Sequence, residues 1–255
     1  MFEGFPKYFR IFTELEDLVK QKFSQEYEIF RFYNMDLAFK LRDLELICLR
    51  YEYDKKKWNQ FGKRQSRFME NVKSESLSQK ELQQESGVLG KQFLQYSELL
   101  LLDIDSFFVF ANILLDRVPF LLRPLYPDII THLYIAKKYF EDFRKHLDWF
   151  QKNPKSVLDS EFYDRMLSYG KWFCEELRDP RNKLIVHPHW DTFRSEMCYN
   201  GKVKVIRYKP SKTGEKRTWI RTESIELSDI SEIFKKIIEF LEFLSKYFLE
   251  KLSGS

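Results

Sequence analysis

Arg181, Asn182 and His187 stand in one short stretch, Arg181-Asn182-Lys183-Leu184-Ile185-Val186-His187-Pro188. A guanidinium is always charged, and its planar fork holds phosphate oxygens in pairs. An imidazole titrates near neutrality, so it can take a proton from a ribose hydroxyl or return one to a leaving oxygen. Cleavage of an RNA phosphodiester by its own 2′-hydroxyl needs those two services and no metal. DNA lacks that hydroxyl, so the chemistry is specific to RNA. Asp179 is a good helix cap and Pro180 a good first helical residue. Arg181 then falls in a first turn, where backbone amides face an anion. Pro188 stops the helix just after His187.

The same geometry raises an objection. Residues six apart on an ideal helix differ by about 120° in direction, so Arg181 and His187 do not share a face. Either the segment is irregular or a second copy of the chain completes the site. The plain alternative is that Arg181 pairs with a nearby acid and His187 ends a helix. His189 offers a second proton donor or phosphate ligand, and Trp190 a ring for stacking a base. Against these stand a surface loop residue and a core tryptophan. His132 and His146 lie on one predicted helix and read as structural. No His, Cys, Asp and Glu spacing forms a metal-ligand set, so neither metal nor cofactor is expected.

The frame that must position these residues is mainly helical. The chain has 255 residues, 8 glycines and 8 prolines, while Leu, Glu, Lys and Phe are abundant. That composition favours helices around an aromatic-rich core. Cys48, Cys174 and Cys198 are odd in number and far apart, which argues against a disulfide framework and for a reducing cytosol. The N-terminus lacks the basic start and apolar run of a signal peptide. The most apolar region, Leu99 to Leu122, is broken by Asp103, Asp105, Asp116 and Arg117, so a buried helix is expected there and no membrane span. These features predict a cytoplasmic protein.

Thr13 and Glu16 have capping-box spacing. Phe23, Tyr27, Phe30, Asn34, Leu37, Leu41, Leu44, Cys48 and Tyr51 alternate in steps of four and three. That seam predicts a long first helix, from near residue 14 or 23 to about Trp58, with Asn34 as its polar core member. A basic cluster, Lys55 to Arg67, and a Ser-, Gln- and Glu-rich run predict a polar connection over about 62–90. Further helices are predicted from about Lys91 to Arg117, from Asp128 to about Phe150, and from Ser160 to Leu177. Pro119, Pro124 and Pro127 should bend the chain after the first of these. A last helix is predicted from Ser228 or Asp229 to about Leu252. Asp229 and Glu232 have capping-box spacing.

Between the motif and that last helix the periodicity changes to two. Strands are predicted at Ser195–Tyr199, Lys202–Tyr208 and Arg217–Leu227, with Asn200-Gly201 as a hairpin turn. This antiparallel β meander, about 194–227, carries Arg194, Lys202, Lys204, Arg207, Lys209, Lys212, Lys216, Arg217 and Arg221 against only Glu196 and Glu215 from Arg194 to Arg221. A basic ribbon with Tyr208 and Trp219 interleaved could grip phosphates and stack bases. Its candidate RNA contacts are Lys202, Lys204, Arg207 and Arg217. Lysines on edge strands also prevent aggregation, which is the plain alternative.

An all-helical chain whose late segment reads Arg-Asn-(x)n-His resembles the HEPN superfamily (higher eukaryotes and prokaryotes nucleotide-binding). The family's signature is Arg, four to six residues, then His, with a polar residue usually after the Arg. Arg181, Asn182 and His187 match it. The resemblance covers roughly residues 91–250, and the long N-terminal helix and β meander look like additions to a minimal antiparallel bundle. It implies a single HEPN-like domain over 1–255. It also implies a metal-independent endoribonuclease that dimerises, so that two motifs share one cleft. Arg181 would hold the scissile phosphate, His187 would transfer protons, and Asn182 would orient the site. The family setting implies toxin–antitoxin regulation or antiviral defence, with an antitoxin or nucleotidyltransferase as partner. In toxins paired with nucleotidyltransferases a Tyr often stands two residues after the His. Here that position is His189. Some members keep the fold only to bind nucleotides, RNA or protein.

Overall fold

The computed structural model describes residues 8, 10–122, 152, 160–178, 192–197, 203–213, 216–226 and 229–254. The described residues are mainly helical. A 3₁₀ turn, Arg10–Phe12, leads into α1, Thr13–Lys22. Two long helices follow, α2 at Tyr27–Lys73 and α3 at Gln79–Leu122. Helix α4, Ser160–Trp172, passes into a π-helical turn, Phe173–Arg178. Three strands come next, β1 at Thr192–Met197, β2 at Val203–Thr213 and β3 at Lys216–Glu226. The last helix, α5, is Ile230–Ser253. Among the described residues no helix is long and apolar enough to cross a membrane. The predicted helix over 128–150 and the turn Asn200-Gly201 lie outside the described residues.

The described residues form two compact units. One holds 8, 10–46, 108–122, 152, 160–178 and 231–254. The other holds 47–107, the three strands and 229–230.

In the first unit the heptad seam of α2 is inward. Phe30, Asn34, Leu37, Leu41 and Leu44 are buried, with steps of four and three. A buried amide needs partners, because an unmet polar group in an apolar interior costs free energy. Asn34 Nδ2 donates to Glu16 Oε2 at 2.7 Å, and Tyr27 Oη donates to Glu16 Oε1 at 3.4 Å. This corrects the predicted Thr13–Glu16 capping box. The residue before α1 is Phe12, with no side-chain cap hydrogen bond, and Glu16 serves α2 instead. The chain also breaks between α1 and α2, at Phe23 to Glu26, where one long helix was an option. That break places Leu15 and Val19 in the core beside the seam.

Helix α5 buries Ile233, Ile237, Phe240, Leu241, Leu244 and Phe248. Helix α4 meets it through aromatic rings. Phe162 lies 4.1 Å from Tyr247 and 5.6 Å from Phe248, centroid to centroid, and Tyr169 lies 4.7 Å from Phe240. Pro119 lies inside α3 and does not end it. It stands in the last turn, so the one backbone bond that it forfeits is followed by only three more helical residues.

In the second unit the inward seam runs past its expected end. Cys48, Tyr51, Asp54, Trp58 and Phe61 are all buried. Trp58 meets Phe61 at 5.5 Å and Phe93 at 5.6 Å, and Phe61 meets Tyr96 edge-on at 6.3 Å. The polar connection expected at 62–90 is instead the tip of a helical hairpin. Residues 62–73 and 79–90 are helical, and only 74–78 turn. Glu, Gln, Lys and Arg are strong helix formers, so polarity there signals exposure and not a loop. The turn ends in a capping box. Ser78 N and Oγ donate to Glu81 Oε2 at 2.9 and 2.6 Å, and Glu81 N returns a bond to Ser78 Oγ at 3.4 Å. Those bonds hold the Glu81 carboxyl below its ordinary pKa.

Gly87 and Gly90 sit inside α3 with open space where a Cβ would go. Alanine at both is expected to stabilise the hairpin by about 1–2 kcal/mol in total, since glycine costs about 0.8–1 kcal/mol in a helix interior. Thermal unfolding followed by circular dichroism checks this. A fall in midpoint would show that these glycines serve a close approach.

The strands pair antiparallel in the order β1-β2-β3. Their bounds differ from those predicted, most of all in β2, which runs through Pro210 to Thr213. Strand β1 pairs only as far as Tyr208, opposite Thr192. Beyond it β2 pairs with β3 alone, so Pro210, which cannot donate, is tolerated there.

Candidate functional site

The chain approaches the motif through α4 and its π-helical turn. Phe162, Met166, Phe173 and Leu177 are buried along this segment. The turn is tied to α5 by Lys236, whose Nζ donates to Glu176 Oε1 at 3.0 Å and lies 5.8 Å from the Trp172 ring centre. The segment therefore reaches Arg178 from a fixed base.

Arg181, Asn182, His187, His189, Trp190 and Lys202 lie outside the described residues. Of the other candidates, Lys204 and Arg207 stand on β2 and Arg217 on β3. Their register positions differ in charge. Lys204 is the partner of Glu196 on one side and Glu226 on the other. Arg207 is the partner of Phe193 and Glu223. Arg217 is the partner of Lys212, and Lys216 of Thr213. The three-stranded end is thus closely balanced, while the two-stranded end concentrates positive charge.

Sequence reasoning gave no role to a buried polar cluster in the second unit. Arg50 Nε donates to Asp103 Oδ1, and Asp103 is buried while its Oδ2 has no hydrogen-bond partner. Asp54 is buried on the same seam as Tyr51. Burial is the main cause that drives the Tyr51 phenol well above its ordinary range, with Asp229 and Glu52 adding to it, so it stays a protonated donor. Lys55 lies 5.3 Å from the Tyr51 ring centre and binds Asp229 Oδ2. Asp229, the expected cap, stands directly before α5, and its carboxylate is held by this lysine. Cys48 Sγ donates to the Ile230 carbonyl at 3.9 Å. The cluster thus anchors the start of α5 just after β3. The available signal was Asp103 itself, a charge in the middle of an apolar run.

Burial raises the Asp103 carboxyl above its ordinary value, against the pull of Arg50, and Asp54 raises it further. A carboxyl whose pKa is higher folded than unfolded adds stability below the unfolded value. That contribution is lost as pH rises through the folded value. Asp103→Asn removes the titration and keeps an acceptor for Arg50. Its midpoint relative to wild type is expected to climb as pH rises from about 4 to about 7. Melting curves across that range test it, and parallel curves would refute the assignment.

Among the described residues no group of three or more His, Cys, Asp or Glu converges as a metal-ligand set. A groove of about 390 Å³ lies between α4 and α5, lined by Glu161, Phe162, Arg165, Phe243, Lys246 and Tyr247. Its charges are met within the chain: Arg165 pairs with Glu161 at 3.0 Å, and Lys246 with Glu250 at 3.9 Å. Comparison with known proteins finds no matching family model, no matching curated protein and no matching solved structure.

Proposed function

We propose that the chain is a HEPN-type, metal-independent endoribonuclease. Arg181 holds the scissile phosphate and Asn182 orients it. His187 moves the proton between the 2′-hydroxyl, the phosphate and the leaving 5′-oxygen. Two copies bring their motifs into one cleft, which answers the objection that Arg181 and His187 leave one helix in different directions. The helices read as a HEPN-like bundle with a long N-terminal addition, and the β meander as an insertion before the last helix. The single observation that carries the reading is the motif Arg181-Asn182…His187 in a mainly helical chain. The basic strands support it by offering RNA a second hold. The setting that fits is toxin–antitoxin regulation or antiviral defence, with an antitoxin or nucleotidyltransferase holding the activity in check.

The test is incubation of the purified chain with mixed RNA in excess EDTA, beside Arg181→Ala and His187→Ala. Cleavage by the wild type that both variants lose supports the reading. RNA bound but not cut favours a binding module of the same fold. DNA cut as fast as RNA would remove the 2′-hydroxyl from the mechanism.

A further inference from the structure

Helix α2 carries a second seam. Phe32, Met35, Phe39, Arg42, Leu46, Leu49 and Tyr53 follow steps of three and four, alternately two residues and one residue beyond the members of the buried seam. Offsets of two and one residues are about 200° and 100° on a helix, so this seam is turned by about 150° from the buried one. Its six apolar members are exposed, from 37% at Met35 to 66% at Phe32. Together they present roughly 600 Å² of surface, taking about 200 Å² for each full side chain. A scattered exposed apolar residue needs no cause, but a contiguous patch of this size on a strict heptad does. A 3.5-residue repeat is the repeat that lets one helix lie along another over many turns.

We infer that this outward seam of α2 binds a second copy of this chain, as a parallel pair of helices. In heptad terms Phe32, Phe39, Leu46 and Tyr53 are a positions, and Met35, Arg42 and Leu49 are d positions. The flanks then complement themselves. A parallel pair sets Arg31 against Asp36, Glu45 against Arg50, and Glu52 against Lys57 of the second copy, each opposite in sign. Within the chain Arg31 lies 4.0 Å from Glu16, Asp36 3.2 Å from Arg117 and Glu52 3.9 Å from Lys55, and Arg50 pairs with Asp103, so these flank contacts form by sharing or exchanging partners already held; Arg31 and Arg50 keep about half of their side chains exposed. Arg42 is the one polar member of the seam, which sets register and weakens the pair. About 600 Å² per copy lies at the lower end of specific interfaces, so the dimer forms in the micromolar range. The seam gives the homodimer of the proposed function a surface, and shares with that reading only its stoichiometry.

Sedimentation velocity of the full chain from about 1 to 100 μM tests the inference. The wild type should pass from monomer to dimer in that range. Phe32→Glu and Leu49→Glu should weaken association at least tenfold with unchanged circular dichroism, because both side chains are exposed. Arg42→Leu should tighten it at least tenfold. Leu46→Cys should form a disulfide with itself, since a positions meet at equal height only in a parallel pair. A wild type that stays monomeric overturns the seam, as does a dimer that Leu49→Glu leaves intact. A seam dimer in which Leu46→Cys does not cross-link overturns the parallel order. A monomer that still cleaves RNA through His187 refutes the seam alone, and a seam dimer without cleavage refutes the catalytic reading alone.

Discussion

His187→Ala is expected to slow RNA cleavage by about 10²–10⁴-fold, the usual contribution of a positioned proton donor or acceptor. Arg181→Ala should cost about 10²–10³-fold, because developing phosphate charge then loses a fixed counter-charge in the cleft. The two losses should not add. Groups that act on one transition state fail together, so the double variant should be little worse than the weaker single one. The pH profile separates chemistry from folding. The limb of the profile that a catalytic imidazole sets should vanish in His187→Ala, while a merely structural histidine would leave it in place. Mixing the two inactive variants is sharper still. If one copy supplies arginine and the other histidine, the mixture regains part of the rate that neither variant has alone. Retained cleavage in pure His187→Ala would sink the assigned role.

How much of this was legible in the sequence depends on which physical signal carried it. The inward seam of α2 could be read as far as Tyr51 because burial on a helix repeats every three or four residues. It was lost beyond that point because Asp54 fills a seam position and a lysine cluster follows. In the structure Asp54 is buried all the same, and Trp58 and Phe61 continue the seam. The outward seam was equally present in the letters. Sequence alone does not say which of two apolar stripes on one helix meets the core, because that choice belongs to packing. The stretch at 62–90 was misread because composition was allowed to outweigh propensity. Its Ser78-x-x-Glu81 box was there to be found, and it marks the true start of α3. Asp103 showed the opposite effect. In the sequence it counted only against a membrane span, whereas in the fold it pairs with Arg50 from the long helix. The motif itself is local, so its residue types were legible at once, whereas a cleft shared by two copies, as proposed, is not a property that one chain's sequence can spell out. The basic residues of the strands were legible by alternation. The division between a balanced end and a basic end required the register.

Trp58→Ala is expected to cost about 3–5 kcal/mol, the range for deleting a large aromatic from a packed interior. Trp58 is 1% exposed and lies with Phe61 and Phe93 at centroid distances of 5.5–6.2 Å. Truncation removes the largest buried side chain that the structure describes. The rings around it hold their places on two long helices, so the void would close only in part. For a chain of this length each kcal/mol moves the midpoint by about 2–4 °C, so a drop of roughly 6–20 °C is expected. Trp58→Phe fills most of the space and should lose less than half as much. The control lies on the same helix. Leu49→Ala removes a side chain that is 62% exposed and, at a concentration where the chain is monomeric, should fall within about 0.5 kcal/mol of wild type. Far-UV circular dichroism reads all three, since the helices report unfolding without the lost indole. Equal costs for Trp58→Ala and Leu49→Ala would mean that the inward and outward seams of α2 have been assigned the wrong way round.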